Sequence, residues 1–207
     1  ILSGLVGSEM CIRDRCSTDA GWCEAAAAAF TRETGIKVLQ AHKGTGEIGA
    51  QLRAEAANPK TDIWWGGTGD PFLQAAEQGL LEPYRPAYIN DLHDWAVRQY
   101  ALSQNMVGGF YTSAMGFGFN TELLKKKKLP EPRCWADLVK PGYKGEIEIS
   151  HPATSGTAYT IIAGLVQQMG EDAAFDYLKQ LHRNVTSYTR SGQAQAPNVA
   201  KGCLLYT

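Results

Sequence analysis

The stretch 36-IKVLQAHKGTGEIGAQLRAEAANPKTDIWWGGTGDPFLQAAEQG-79 decides the fold class of this chain. Two apolar runs in it, 36–41 and 61–65, have the length and residue types of buried strands. Each run is followed by a glycine-rich loop and then by a helical pattern, over 47–57 and 70–78 respectively. Because strands that alternate with helices pair side by side, the stretch predicts a parallel sheet covered by helices, which is an α/β fold.

The same alternation continues in both directions along the chain. Upstream, residues 19–34 predict a helix that Gly35 ends. Downstream, residues 106–119 are rich in glycine and aromatic residues, which favours consecutive extended segments. The other predicted elements are a helix beginning at Asn120-Thr121, a turn and helix over 130–143, strands over 147–150 and 185–188, and helices over 156–169 and 171–181. We therefore expect two α/β lobes, 16–105 and 106–202.

Composition and hydropathy argue against a nucleic-acid partner and against a membrane-spanning helix. The chain has 207 residues, with 20 basic and 21 acidic side chains and a formal net charge of −1. Since phosphate backbones are neutralised by an excess of Lys and Arg, nucleic acid is not the expected partner. No apolar run approaches the ~18 residues that a membrane-spanning helix needs.

The five cysteines predict no metal site and no densely bridged scaffold. They are Cys11, Cys16, Cys23, Cys134 and Cys203, and none forms a CxxC pair or has zinc-finger spacing. Buried free thiols are the expectation, and a bridge between Cys16 and Cys23 stays open because spacing alone does not decide it.

The two ends of the chain differ from the rest. Residues 1–15, ILSGLVGSEMCIRDR, have no helical or strand period, and residues 203–207, CLLYT, interrupt a helical pattern. Both resemble translated sequencing-adapter sequence, so we expect them to be non-native ends that pack poorly. Residues 12–15 could still extend a first strand. The alternative for residues 1–6 is the remnant of a signal peptide, although no basic segment or cleavage site accompanies them.

Four loops between a strand and a helix carry the candidate site. A helix N-terminus exposes unpaired N–H groups and a positive dipole end, and Ser or Thr hydroxyls add donors. The carboxyl ends of parallel strands gather at one edge, where ligands of open α/β sheets bind. The predicted ligand-binding residues are Ser17, Thr18, Asp19, Gly44, Thr45, Gly67, Thr68, Ser155, Gly156 and Thr157. Asp19 and Asp70 could be helix caps only, with Asp70-Pro71 typical of an N-cap followed by Pro at the first helical position.

Catalytic motifs are absent from the sequence. It contains no GxxxxGK[ST], no GxSxG and no HExxH, and Gly44-Thr45-Gly46 does not continue into a dinucleotide fingerprint. His42, His93, His151 and His182 are scattered, and none stands in a recognisable triad order. We therefore predict no catalytic residues, no metal ligands and no cofactor, and a protein that is not an enzyme.

Three motifs give the chain a family resemblance: GFGFNT at 116–121, WADLVKPGYKGEI at 135–147 and PATSGT at 152–157. With FTRETGIKV upstream, they resemble type 2 periplasmic solute-binding proteins of ABC importers, in the subgroup that binds ferric iron, thiamine, phosphonate or sugar phosphate. The resemblance covers 16–202. It implies two α/β lobes that close on a ligand cleft by a hinge, with the second lobe incomplete here because members of the family continue further.

The resemblance also implies partners and a location. The expected partners are a small anionic solute and the permease and ATPase subunits of an importer, and the expected protein is monomeric. It would be periplasmic, or lipid-anchored and extracellular, with its signal peptide missing from this sequence.

The solute is expected to be a phosphorylated or phosphonate-type organic molecule. Iron-binding members place a His in the first loop and an acidic residue after the third strand, whereas this chain has Cys16-Ser17-Thr18-Asp19 and Gly66-Gly67-Thr68-Gly69. Hydroxyl and N–H donors suit phosphate oxygens better than Fe³⁺, which prefers charged oxygen ligands. A ferric-iron-binding protein is the alternative. An enzyme or a sensor domain on the same two-lobed fold is the alternative of another class.

Overall fold

The computed structural model describes residues 11–202 and divides between Gly108 and Gly109 into two compact units. The elements of the first unit are β1 (Cys11–Cys16), α1 (Ala20–Thr34), β2 (Lys37–His42), α2 (Thr45–Ala54), β3 (Ile63–Trp65), α3 (Gly69–Glu77) and α4 (Asp94–Leu102). Those of the second are α5 (Thr121–Lys127), β4 (Ile147–Ser150), α6 (Gly156–Met169), α7 (Glu171–His182), β5 (Val185–Thr189) and α8 (Gln195–Ala200). Short 3₁₀ turns span Ile89–Asp91, Trp135–Val139 and Pro141–Tyr143. None of the helices described is long and apolar enough to cross a membrane.

The sheet of the first unit has the order β2-β1-β3, with both pairs parallel. Cys16, the last residue of β1, lies opposite His42 in β2 and Trp65 in β3. All three strands therefore end at the same edge, and the loops that follow them leave the sheet side by side. The parallel arrangement predicted from the alternating pattern is confirmed.

Helix α1 shows how local sequence sets the ends of an element. The Asp19 carboxylate accepts a hydrogen bond from the Gly21 N–H at 2.9 Å, and this N-cap begins the helix. Gly35 adopts a φ of 73° and ends it, because a residue without Cβ enters the left-handed region without strain. The predicted helix over 19–34 is confirmed, with Asp19 as its cap.

Strand β1 corrects the expectation that residues 1–15 pack poorly and agrees with the alternative that residues 12–15 extend a first strand. Residues 11–15 form most of the central strand, because backbone hydrogen bonds to β2 and β3 hold it on both sides whatever its side chains are. Asp14 is buried, and its Oδ2 accepts hydrogen bonds from Gln40 Nε2 at 2.9 Å and Trp65 Nε1 at 3.1 Å. Residues 1–10 and 203–207, where the other part of this expectation falls, lie outside the described residues.

An exposed ion pair ties the middle of this strand to the loop before β3. Arg13 Nε lies 3.1 Å from Asp62 Oδ2, and the Arg13 N–H donates to the same oxygen. Hydrogen bonds from Arg13 hold the pKa of Asp62 below its ordinary value.

The cysteine expectation is wrong for one pair: Cys16 and Cys23 form a disulfide. Cys11 and Cys134 are free thiols but are not buried as expected, since Cys11 is half-buried and Cys134 is exposed. Cys203 lies outside the described residues. The bridge forms because the end of β1 and the first turn of α1 face each other across a loop of three residues, 17–19.

The second unit packs around a core of Leu124, Leu138, Tyr143, Ile147 and Leu181. Its two strands, β4 and β5, pair in parallel. The predicted extended segments over 106–119 do not form strands over 107–118, because an extended backbone becomes a strand only where a neighbouring strand accepts its hydrogen bonds. The lobe bounds expected from the sequence, 16–105 and 106–202, remain a prediction.

Tyr177 makes the second unit sensitive to alkaline pH. Its hydroxyl donates to the Trp135 carbonyl at 2.7 Å, and burial raises its pKa to about 12 from an ordinary value of 10.0. The phenol therefore has a higher pKa in the folded protein than in the unfolded chain, which releases the proton at lower pH. We expect the contribution of Tyr177 to the free energy of unfolding to be complete below pH 10 and to fall as the pH rises towards 12. Urea unfolding of the parent and of Tyr177→Phe across this range tests it. Equal pH dependence in both proteins would contradict the assignment.

Candidate functional site

Three loops of the first unit meet at Gly66 and Gly67. Gly66 has a φ of 78°, and a Cβ built on it would lie 2.8 Å from the backbone nitrogen of Thr18. Gly67 has a φ of 97°, and a Cβ there would collide with Thr45 Oγ1 and lie 3.3 Å from Ser17 Cβ. The loops after β1, β2 and β3 therefore approach so closely that only glycine fits between them.

The first loop is held by side chains from both neighbouring strands. Trp64 in β3 donates its indole N–H to Ser17 Oγ at 3.1 Å. His42, which ends β2, contacts the Thr18 carbonyl through Nε2 at 2.6 Å. Since a carbonyl only accepts, Nε2 carries the proton of this imidazole. Thr18 and Thr45 are both buried, so their positions are set by packing.

The hydroxyl groups of Ser17 and Thr68 could donate hydrogen bonds to a ligand. Ser17 Oγ accepts the Trp64 indole proton, so its own proton is left to donate to another group. Thr68 Oγ1 is buried and has no hydrogen-bond partner among the described residues. Polar atoms removed from water are normally paired, so a bound group that accepts a proton would complete this site.

Two predicted site residues of the first unit form hydrogen bonds within helix caps. The Asp19 carboxylate caps α1, as described above. The Gly44 N–H donates to Glu47 Oε2 at 3.2 Å, so this candidate donor is engaged within the chain. Thr68, not Asp70, occupies the N-cap position of α3, which corrects the expected Asp70-Pro71 cap; Asp70 lies in the first helical turn.

The fourth loop belongs to the second unit and begins α6. Ser155 is buried and is the N-cap, with its Oγ accepting from the Ala158 N–H at 3.4 Å. Gly156 is also buried in the first turn. A Cβ on Gly192 would lie 2.7 Å from Thr157 Cβ, so the chain after β5 packs tightly against this helix start.

A cavity of about 270 Å³ also lies in the second unit. Its lining is mostly apolar, with side chains such as Ile149, Ile161 and Leu178, and it includes Thr157, one of the predicted site residues. Tyr188 borders it, its hydroxyl 2.7 Å from His182 Nδ1, and burial raises the pKa of this phenol. A mostly apolar lining does not suit a buried anion, so the cavity is a poor anion site although Thr157 borders it.

Two features of the site could not be predicted from the sequence: the Trp64 indole on Ser17 and the His42 imidazole on Thr18. The Cys16–Cys23 disulfide beside them was left open by the sequence, in which the two cysteines flank the first loop. Within residues 11–202, no three His, Cys, Asp or Glu side chains are grouped so that they could hold a metal ion.

Two solved structures resemble the chain closely. The periplasmic binding protein P5PA has 36% sequence identity and a TM-score of 0.90, with 96% of this chain and 63% of that chain covered. The periplasmic binding protein AfuA from Actinobacillus pleuropneumoniae, solved with fructose 6-phosphate bound, has 42% identity and a TM-score of 0.84, with 94% and 61% covered. The predicted type 2 periplasmic-binding-protein fold is confirmed by these structures.

Two curated relatives extend the comparison. An uncharacterised protein of Haemophilus influenzae is 42% identical over 188 residues, which are 90% of this chain and 54% of the relative. The Fe(3+)-binding periplasmic protein of Serratia marcescens is 28% identical over 159 residues, 77% of this chain and 45% of the relative. The chain thus spans about half the length of the curated relatives it matches.

The family comparison identifies the class of protein. The sequence profile of bacterial extracellular solute-binding proteins matches residues 58–205, well over half of the chain. P5PA, AfuA and the Serratia relative are named as periplasmic or periplasmic binding proteins, in agreement with the prediction of a binding protein instead of an enzyme. The chain belongs to the family of bacterial extracellular solute-binding proteins.

Proposed function

We propose that this protein is the solute-binding component of an ABC importer and that it binds a small phosphorylated or phosphonate-type organic solute. The observation that carries the proposal is the meeting of three loops at Gly66 and Gly67. It brings together hydroxyl groups and the N-termini of α2 and α3, which stabilise anionic oxygens without a matching cation.

The donor set favours a phosphate oxygen as the group that completes the site. Ser17 has a proton left to donate, and Thr68 has a buried hydroxyl with no partner among the described residues. Each would form a hydrogen bond to a charged oxygen, which is about twice as strong as a neutral one. The bound fructose 6-phosphate of AfuA, at 42% identity, supports a sugar phosphate as the first probe.

Ferric iron is the second candidate, because the Serratia relative is named as an Fe(3+)-binding protein. Fe³⁺ prefers carboxylate and phenolate oxygens. Two carboxylates beside the loops are engaged in helix caps, Asp19 with the Gly21 N–H and Glu47 with the Gly44 N–H. The third, Asp70, lies in the first turn of α3. This use of the acidic groups favours the organic phosphate.

The remaining parts of the function follow from membership of the family. We propose that the protein is periplasmic or lipid-anchored outside the cell, acts as a monomer and delivers its solute to a permease with an ATPase partner. Ser155, Gly156 and Thr157 would supply donors from the second unit, and closure about a hinge would bury the solute without turnover. A catalytic or sensor role on the same fold would instead require turnover of the solute or an attached DNA-binding segment.

A ligand screen on the complete gene product tests the proposal. Thermal melting would be followed with fructose 6-phosphate, a phosphonate, inorganic phosphate and Fe³⁺ in separate samples. A solute at one hundred times its Kd stabilises the folded state by ~2.7 kcal/mol, so the bound ligand raises Tm by several degrees. A shift with a phosphate ester or phosphonate supports the proposal. A shift with Fe³⁺ alone would contradict the proposal and indicate a ferric-iron-binding protein.

Replacement of Ser155 by alanine tests the contribution of the second unit. Loss of one hydrogen bond to a charged group costs ~1.5–3 kcal/mol, so titration calorimetry should show about tenfold to a hundredfold weaker binding of the solute found in the screen. Asn120→Ala is the matched control, since it removes the N-cap of α5. If Ser155→Ala binds as tightly as this control, Ser155 does not contact the solute.

A further inference from the structure

The disulfide brackets the loop that carries the first two proposed donors. Cys16 is the last residue of β1, and Cys23 lies in the first turns of α1, seven positions later. Ser17, Thr18 and Asp19 stand between β1 and α1, inside the bridged segment. Both cysteines are fully buried, with 0% and 1% exposure, so the bridge fixes the two ends of the loop from within the fold.

We propose that the Cys16–Cys23 disulfide is a positioning element of the solute site, which holds the Ser17 and Thr18 groups in their binding arrangement before the solute arrives. The proposal rests on the proposed function, because it assigns the loop to the binding of a phosphate group. A site whose donors are already fixed loses little conformational entropy on binding, and this pre-organisation increases affinity.

The other contacts that hold the loop are hydrogen bonds, whereas the disulfide is a covalent link. In β3, Trp64 holds the Ser17 side chain and the Trp65 carbonyl accepts from the Ser17 N–H. In β2, His42 holds the Thr18 carbonyl. None of these contacts is covalent, and all depend on the loop remaining close to the sheet. The disulfide provides that condition because it ties the end of β1 directly to α1.

The expected location is compatible with this role. Disulfides persist in oxidising compartments such as the bacterial periplasm, and the named relatives are periplasmic proteins. In that compartment the loop would remain bridged throughout repeated cycles of solute binding and release.

The test compares affinity with stability in the complete gene product. Titration calorimetry with fructose 6-phosphate would be carried out on the parent, on Cys16→Ala/Cys23→Ala and on two controls, well below the melting temperature of each. The double variant is expected to bind about tenfold more weakly. Cys134→Ala removes an exposed free thiol, and Ile89→Val destabilises the same unit at a buried position, so both should bind as the parent does.

A second readout keeps the proposal testable if the double variant does not fold. Hydrogen exchange of the amides at 17–19 would be compared in the oxidised and the reduced parent, with those at 37–42 in β2 as reference. Faster exchange confined to the loop supports the proposal. Unchanged affinity in a folded double variant, or unchanged loop exchange on reduction, would overturn it. A parent that binds no phosphate ester or phosphonate would overturn the proposed function and this proposal together, and that result is visible before any variant is made.

Discussion

Alanine at position 67 is expected to weaken solute binding more than a hundredfold. Gly67 has a φ of 97°, and a Cβ there would collide with Thr45 Oγ1. A side chain in such a conformation costs ~1–2 kcal/mol before any clash is counted. The loop after β3 would have to move away from Thr45 and Ser17, and the three loops would no longer meet. Titration calorimetry on the complete gene product measures the loss.

Gly69→Ala is the matched control for this substitution. Gly69 begins α3 in the same loop, and a Cβ built on it meets no atom within 4 Å. We expect this variant to bind as the parent does. If Gly67→Ala does not fold, Thr45→Val removes only the hydroxyl next to Gly67 and is expected to lose about tenfold to a hundredfold in affinity. Parent-like binding by both Gly67→Ala and Thr45→Val would mean that the loops do not form the site.

Loss of the Asn184 side chain is expected to destabilise the second unit strongly. Asn184 is buried, and its Nδ2 donates to the Leu138 carbonyl at 2.8 Å and to the Lys140 carbonyl at 2.9 Å. It joins the segment before β5 to the 3₁₀ turn at 135–139. Since removal of the amide leaves two carbonyls without this donor, Asn184→Ala should cost ~2–4 kcal/mol in the free energy of unfolding.

Urea unfolding followed by circular dichroism measures this change. Gln168→Ala, an exposed amide side chain on α6, is the control and should change the free energy by less than ~0.5 kcal/mol. If both variants unfold at the same urea concentration as the parent, Asn184 does not join these segments.

Much of the fold could be predicted because local signals coincide with its elements. Asp19 and Gly35 mark the two ends of α1, and Asn120 marks the start of α5. The apolar runs at 36–41 and 61–65 predict strands that differ by one or two residues from β2 and β3. These elements follow from caps and periodicity, which short stretches of sequence encode.

Strand β1 could not be predicted in this way, because CIRDRC has no apolar run. Its place in the sheet depends on hydrogen bonds to β2 and β3, which are distant in sequence. The same limit applies to the extended segment at 107–118, whose glycine and aromatic content suits a strand that the tertiary structure does not pair. Pairing between segments is a tertiary property, and it overrides local preference.

The sequence was sufficient to predict that the first three loops approach each other, but not the side-chain contacts within them. Parallel strands bring their carboxyl ends to one edge, so the approach of the first three loops follows from the fold. The details depend on side-chain directions: Trp64 reaches Ser17, and Thr68 takes the cap position expected for Asp70. Residue types in a loop indicate hydrogen-bonding capacity, but they do not show which groups the chain itself uses.

Titration calorimetry on the complete gene product tests the central claim most directly. The protein would be titrated with fructose 6-phosphate, with a phosphonate and with Fe³⁺, and each titration would be repeated on Gly67→Ala. The account predicts one-to-one binding of a phosphate ester or a phosphonate by the parent and its loss in the variant. Tight binding of Fe³⁺ with no heat from either phosphorus compound, unchanged in Gly67→Ala, would contradict it.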